Sequence, residues 1–129
     1  MTKSHSKPIR VQALDQASAL INGDRDKEYG SPKENFDRFR TMVNAYLGKR
    51  IEDGTFRGLT TTDVSAVLSL LKLSRLAHDP NKLDSWRDLV GYGALGFEMA
   101  AIEAVESADI QSPTETTKPV RRRGRPRKQ

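Results

Sequence analysis

The stretch at residues 62–78, TDVSAVLSLLKLSRLAH, constrains the fold of this chain more than any other. Drawn as a helix, it is apolar around most of its circumference, and a helix of that kind belongs in the middle of a core. Asp63 or a neighbouring threonine can cap its start, and Asp79 followed by Pro80 stops it. Because the run is only about four turns long and contains two cations, it is not a membrane span. We therefore expect an all-α fold in which the other helices pack around this one.

Three further helices are predicted from periodicity and capping signals. The first covers residues 10–22, where apolar side chains recur at helical spacing before a glycine. The second covers residues 31–47 and opens with the capping box Ser-Pro-Lys-Glu. The third covers residues 85–105 and begins after an aspartate that can cap it. Residues 10–106 are thus predicted to form one compact four-helix domain, with the central helix packed by the other three.

The last predicted helix contains Gly91, Gly93 and Gly96. Each glycine inside a helix costs about 1 kcal/mol relative to alanine, so we expect another helix or a bound ligand to approach closely there. These glycines also match the dinucleotide-binding spacing G-x-G-x-x-G. That match carries no functional meaning here, because no strand precedes it and the surrounding pattern is helical.

Charge and composition set the two ends of the chain apart from its body. The 129 residues include no cysteine, which excludes disulfides and thiolate metal sites, and the net charge is +5. Residues 11–112 hold 12 basic and 16 acidic residues, so the excess of positive charge lies at the ends. Residues 1–9 and 107–118 are predicted to be a disordered leader and a disordered linker. No apolar N-terminal run resembles a signal peptide, so we expect a cytoplasmic protein.

The C-terminal tail, residues 119–129, has the most specific motif. A Gly-Arg-Pro core lies between arginines and a lysine, and the segment resembles an AT-hook. The resemblance implies contact with the narrow, negative minor groove of A·T-rich double-stranded DNA. The alternative is a basic tail that binds any polyanion or acts as a localisation signal. The candidate DNA-binding residues are Arg121, Arg122, Arg123, Gly124, Arg125, Pro126, Arg127 and Lys128.

The body offers a second candidate site, made of charged and aromatic residues near predicted helix ends. Asp84 and Asp88 share a helix face and, with Glu34, are candidate ligands for magnesium, which would be the cofactor of a nucleotide site. The alternative is a structural role, with Arg75 paired to Asp88 and Lys72 paired to another acid. His78 is expected to cap a helix end. The candidate nucleotide-binding residues are Lys27, Tyr29, Lys72, Arg75 and Tyr92.

The segments DRDKEYGSPKENFDRF, LLKLSRLA and DSWRDLVGYGAL resemble a family of small uncharacterised proteins common in phages and prophages. The resemblance covers about residues 12–100 and implies a phage origin and a helical fold. More distantly, the layout is similar to the all-α nucleoside triphosphate pyrophosphohydrolases of the MazG-like type, whose helices present Glu-x-x-Glu and Glu-x-x-Asp to magnesium. This chain departs from that pattern, since Asp84 and Asp88 are spaced i, i+4 rather than i, i+3.

Two function hypotheses follow, with a third left open. The first is a phage DNA-binding protein in which a homo-oligomeric body displays several tails, since several weak hooks bind DNA much more tightly than one. Oligomerisation is expected because four short helices carry a surplus of apolar residues. The second is a magnesium-dependent nucleotide pyrophosphohydrolase or nucleotide-binding protein. The third is an interaction module for a host protein.

Overall fold

The computed structural model describes residues 6–111 of the 129-residue chain. This part of the chain contains no strand, so the all-α prediction is confirmed. It forms four longer helices and one short helix. The helices are α1 Ile9–Ile21, α2 Arg25–Tyr29, α3 Pro32–Glu52, α4 Thr61–Leu76 and α5 Leu83–Gln111. The linker beyond residue 111, the tail at 119–129 and most of the predicted leader lie outside the described residues.

The start of α3 is confirmed, but its predicted end is wrong. Ser31 is the N-cap, and its hydroxyl accepts a hydrogen bond of 3.3 Å from the backbone N–H of Glu34. The helix continues through Gly48 to Glu52. A single glycine costs only about 1 kcal/mol, and the last turn is held by an ion pair of 2.8 Å between Lys49 and Asp53.

Helix α4 begins with a capping box one residue earlier than expected. The Thr60 hydroxyl accepts from the Asp63 N–H at 3.2 Å, and the Asp63 carboxylate accepts from the Thr60 N–H at 3.0 Å. Both reciprocal bonds satisfy first-turn donors that would otherwise lack partners. The helix ends at Leu76, two residues before the predicted end.

The predicted boundaries of α5 and of one loop are also corrected. Helix α5 runs to Gln111, so residues 107–111 are helical rather than part of a disordered linker. The loss of hydrophobic periodicity there removes packing against the body, but alanine and glutamine still favour a helix. Helix α2 lies between the predicted helices at 10–22 and 31–47, where no helix is predicted, and Gly30 ends it with a φ of 75°.

The three long helices α3, α4 and α5 pack side by side, with α4 in the middle. The Arg38 guanidinium donates to the Ser74 carbonyl, and Tyr46 near the other end of α3 reaches Asp63, so α3 and α4 are antiparallel. Helix α1 has no comparable interface with α4. The prediction that three helices pack around the central one is therefore wrong for α1.

Helices α4 and α5 are antiparallel and approach closely through small and polar residues. Ser65 donates a hydrogen bond to the Tyr92 carbonyl, and a Cβ at Gly96 would lie 2.9 Å from the Ser65 hydroxyl. Near the N-terminus of α4, the Glu103 carboxylate accepts hydrogen bonds from the Thr61 hydroxyl at 2.7 Å and from the Thr62 N–H at 3.1 Å, and these bonds lower the pKa of Glu103. The expectation of a close helix approach is confirmed at Gly96. At Gly91 and Gly93 the added Cβ would meet nothing within 4 Å.

Few apolar side chains are covered in the single chain. Among the described residues, Leu76 is the only fully buried hydrophobic side chain. The predicted central position of α4 is confirmed, but most of its apolar side chains are only half-buried and Val64 is 49% exposed. The remaining buried positions are polar and lie at helix contacts, namely Asn35, Asp63, Ser65, Ser74 and Ser85.

Candidate functional site around Tyr29

The Tyr29 ring lies among three cationic side chains that come from separate parts of the chain. The Lys82 ammonium lies 4.2 Å from the ring centroid, and the Arg75 guanidinium of α4 lies 4.8 Å from it. Arg25, on α2 itself, lies 5.8 Å from the centroid. Cations within about 6 Å of an aromatic face are attracted by the ring quadrupole. The tyrosine thus gathers positive charge at one end of the helical body.

Short contacts fix α2 against the ends of α4 and α3. The His78 ring, just past the end of α4, donates a hydrogen bond of 3.0 Å to the Lys27 carbonyl. The buried Asn35 amide donates to the Tyr29 carbonyl at 3.2 Å. A Cβ at Gly30 would lie 3.3 Å from the His78 ring, and the residue has a positive φ of 75°. These contacts explain why the chain can turn sharply between α2 and α3 while Tyr29 keeps its position.

The charges around the ring are only partly compensated. Lys82 forms an ion pair of 2.8 Å with Glu28, and this hydrogen bond lowers the pKa of Glu28 and raises the pKa of Lys82. In residues 6–111, no carboxylate lies within ion-pair distance of Arg25 or Arg75. The two guanidinium groups therefore keep their donors available for an anion.

A pocket opens beside this cluster. Its volume is about 360 Å³, within the range of small-molecule sites. One wall is apolar and comes from the end of α1, and the opposite wall carries both uncompensated arginines. The lining residues are Ala19, Leu20, Gly23, Asp24, Arg25, Glu28, Tyr29 and Arg75. An aromatic ring, two guanidinium groups and an apolar wall together can receive a flat group joined to a phosphate.

The remaining candidate nucleotide-binding residues do not join the pocket. The Lys72 ammonium forms an ion pair of 2.6 Å with Asp88, which lowers the pKa of Asp88. Lys72 thus forms a structural ion pair, but with Asp88, the acid that the alternative assigned to Arg75; Arg75 instead contacts the Tyr29 ring. Lys27 pairs with Asp24 at the surface, and Tyr92 lies against α4 through its carbonyl.

The candidate metal ligands do not form one cluster within the described part of a single chain. Asp84 is engaged by Arg87 at 3.0 Å, and Asp88 is engaged by Lys72. Glu34 lies on α3 near Gly30. The part of the chain that the structure describes has no group of three or more histidine, aspartate or glutamate side chains that could hold a metal ion. The magnesium site stays a prediction, and one chain does not assemble it.

Two residues of this region were not identified from the sequence. Lys82 was not named as a site residue, because no local pattern connects it with a tyrosine on another helix. Arg25 lies in a segment for which no helix is predicted, so its position on α2 beside the pocket has no sequence signal. The candidate DNA-binding residues of the tail lie outside the described range.

A family model for a domain of unknown function, DUF6378, matches residues 12–100. The Gene 55 protein of Mycobacterium phage D29 is 35% identical over 79 residues, which cover 61% of this chain and 47% of that protein. The Gene 55 protein of Mycobacterium phage L5 is 33% identical over 87 residues, which cover 66% of this chain and 50% of that protein. The chain spans about half the length of the curated relatives that it matches.

The predicted resemblance to uncharacterised phage proteins is confirmed over the expected range. No solved structure matches the chain at a significant level. None of the helices in residues 6–111 combines the length and the apolarity needed to cross a bilayer.

Proposed function

The chain belongs to the DUF6378 family, which relates it to mycobacteriophage proteins, and from that premise we propose that it is a phage protein that binds DNA in the host cytoplasm. Its C-terminal tail, residues 119–129, engages A·T-rich minor grooves. The observation that carries this proposal is the Gly-Arg-Pro core at residues 124–126, with basic residues on both sides.

The chemistry of the tail fits a narrow, negative groove. Arg125 lies along the groove floor, where a guanidinium gains most from the concentrated negative potential. Gly124 lets the backbone approach the floor, and Pro126 keeps the chain extended. Arg123 and Arg127 contact phosphates at the groove edges. The body cannot replace the tail in this role, because residues 11–112 carry more acidic than basic residues.

The test is a binding titration of the full chain against A·T-rich and G·C-rich duplexes at several salt concentrations. We expect preference for A·T and an affinity that falls steeply as salt rises. The matched control is the double variant Gly124→Ala/Pro126→Ala, which keeps every charge of the tail. Under the proposal this variant loses the A·T preference, and Arg125→Ala loses most of the binding.

Two results would overturn the proposal. One is equal affinity for both duplexes in the wild-type chain. The other is an unchanged preference for A·T-rich DNA in Gly124→Ala/Pro126→Ala, which would show that the tail binds only through its positive charge.

A second candidate function is the binding of a nucleotide in the Tyr29 pocket. The specific observation in its favour is the pair of guanidinium groups, Arg25 and Arg75, that face the tyrosine ring without a carboxylate partner among the described residues. The phosphates of a nucleotide can bind the arginines while its base lies against the apolar residues Ala19 and Leu20 of α1. Hydrolysis with magnesium has less support, since Asp84 and Asp88 are already engaged by basic side chains.

A further inference from the structure

Helix α5 packs one of its faces against α4 of the same chain. Asp88 pairs with Lys72, Gly96 lies against Ser65, and Glu103 accepts hydrogen bonds at the start of α4. Positions 85, 92, 96, 99 and 103 fall on this face, and all of them are buried or half-buried. At 100° per residue, the face occupies less than half of the helix circumference.

A second face of α5 lies about 120° away around the helix and is exposed along its length; at its N-terminal end the Trp86 indole N–H donates a hydrogen bond of 2.8 Å to the Pro80 carbonyl. We call it the α5 stripe. None of its members is charged, and every one is exposed, with Phe97 at 80%, Leu83 at 74%, Val90 at 72% and Trp86 at 45%. The α5 stripe consists of Leu83, Trp86, Val90, Gly93, Phe97, Ala100, Ala104 and Ser107.

The spacing within the α5 stripe is that of a coiled-coil seam. Its positions alternate in steps of three and four residues from 83 to 107. An average of 3.5 residues is the repeat that keeps a seam facing a partner helix as the two supercoil. The stripe is about 36 Å long at 1.5 Å per residue. A face of this length and regularity fits another helix.

The order of large and small side chains makes the α5 stripe complementary to itself in one direction only. Large residues occupy its N-terminal half and small ones its C-terminal half, with Gly93 and Phe97 at the centre. Turning a second copy antiparallel about a point midway between Gly93 and Phe97 places a small residue opposite each large one. The facing pairs are Leu83 with Ser107, Trp86 with Ala104, Val90 with Ala100, and Phe97 with Gly93.

A parallel arrangement lacks this complementarity. It would place Phe97 opposite Phe97, where the two rings crowd each other, and Gly93 opposite Gly93, where a void remains. In the antiparallel arrangement the Gly93 position, where an added Cβ would meet nothing within 4 Å in the single chain, receives the partner's Phe97 ring. Each facing pair then joins a larger side chain with a smaller one.

We propose that the protein is a homodimer in which α5 of one copy packs antiparallel on α5 of a second copy along the α5 stripe. The single chain needs such a partner, because Leu76 is its only fully buried hydrophobic side chain among the described residues. A second copy fits better than an unrelated partner, since the size pattern complements itself about a two-fold axis. The dimer forms without DNA or nucleotide.

The first arm of the test measures the mass of the full chain by light scattering coupled to size exclusion. The wild-type chain is expected to be a dimer. Phe97→Lys places a charge in the middle of the seam and is expected to give a monomer. Val105→Lys is the matched control, because Val105 is also an exposed apolar residue of α5, at 62%, but lies outside the α5 stripe. A monomeric wild-type chain, or a dimeric Phe97→Lys variant, would overturn the proposal.

The second arm tests the register and does not depend on the folding of Phe97→Lys. The chain has no cysteine, so any disulfide that forms must join the introduced cysteines and identifies which positions face each other. Mixing Val90→Cys with Ala100→Cys under oxidising conditions is expected to give a covalent dimer of the two variants, since facing positions meet the distance that a disulfide needs. Val90→Cys alone is expected to remain unlinked, because two copies of residue 90 lie about 15 Å apart in this register. Efficient linkage of Val90→Cys to itself would refute the antiparallel arrangement.

Discussion

The Arg50 guanidinium on α3 donates two hydrogen bonds, of 2.7 and 3.0 Å, to the carboxylate of Asp63, the third residue of α4. The Asp63 side chain is 3% exposed, and it also accepts a bond of 2.6 Å from the Tyr46 hydroxyl and one of 3.0 Å from the Thr60 N–H. A buried carboxylate with four donors is fully satisfied. One side chain thus starts α4 and fastens it to α3.

Replacing Asp63 with asparagine is expected to lower the free energy of unfolding by about 3 kcal/mol, since the variant leaves the Arg50 guanidinium without its counter-ion. The measurement is urea denaturation at a fixed protein concentration, because an oligomer's stability depends on concentration. Lys49→Ala, which breaks an exposed pair with Asp53, is the control and is expected to cost no more than about 0.5 kcal/mol. Equal effects from both variants would contradict the role given to Asp63.

The same carboxylate predicts how stability depends on pH. Hydrogen bonds from Arg50, and then from Tyr46, hold the pKa of Asp63 well below its ordinary value. A carboxyl whose pKa is lowered by folding contributes its full stabilisation above its unfolded pKa, about 3.9, and loses it as the pH falls further.

We therefore expect the urea midpoint of the wild-type chain to fall as the pH drops below about 4. Asp63→Asn is expected to lose less stability over the same range. Some dependence remains in the variant, because the pKa values of Glu28, Asp88 and Glu103 are also lowered in the folded chain. Parallel pH profiles for the two proteins would show that Asp63 is not a main source of the acid sensitivity.

Gly96 and Gly91 allow a matched test of how closely α4 and α5 pack. A Cβ at Gly96 would lie 2.9 Å from the Ser65 hydroxyl, whereas one at Gly91 would meet nothing within 4 Å. Gly96→Leu is expected to lower the free energy of unfolding by about 2 kcal/mol through overpacking. Gly91→Leu is expected to raise it by up to about 1 kcal/mol, because leucine favours a helix more than glycine does. Urea denaturation of both variants measures the contrast, and loss of stability in both would refute it.

The sequence predicted features that depend on local spacing. The N-cap at Ser31, the all-α fold and the central position of α4 all follow from periodicity and turn chemistry. The pairing of Arg50 with Asp63 does not, because it joins two helices across a loop and no local pattern links those positions. Helix ends were least well predicted, since a single glycine such as Gly48 costs only about 1 kcal/mol and does not by itself end a helix.

In the candidate site, too, residue type was predictable from the sequence, whereas contacts between distant residues were not. Residue type alone indicates Tyr29 and Arg75 as site candidates, and the Arg75 guanidinium lies 4.8 Å from the Tyr29 ring centroid. Lys82 and Arg25 complete the cluster through tertiary packing alone. The apolar pattern of α5 does not distinguish Met99, which is half-buried, from Phe97, which is 80% exposed. It could not reveal whether Phe97 is covered by its own chain, since hydrophobicity records that a side chain avoids water but not what covers it.

The Tyr29 pocket predicts a measurable nucleotide affinity that depends on Arg75. We expect deoxynucleoside triphosphates to bind the full chain in isothermal titration calorimetry, and Arg75→Ala to weaken that binding about tenfold or more, since a guanidinium loses charge-assisted bonds to phosphate. Arg57→Ala, which removes a cation far from the pocket, is the control and is expected to bind as the wild type does. Absence of binding to the wild-type chain would eliminate the site.

The proposed dimer makes a prediction for DNA binding, because two copies carry two tails. When both tails engage one duplex, the second binding event is intramolecular and the apparent affinity rises by about 100-fold or more over that of a single tail. Phe97→Lys is therefore expected to weaken binding to a long A·T-rich duplex by a factor of this order while leaving the A·T preference unchanged, since each tail still reads the groove as before. Titration by fluorescence anisotropy, with Val105→Lys as control, measures both quantities. Undiminished affinity in a Phe97→Lys variant shown to be monomeric would mean that a single tail accounts for all of the binding.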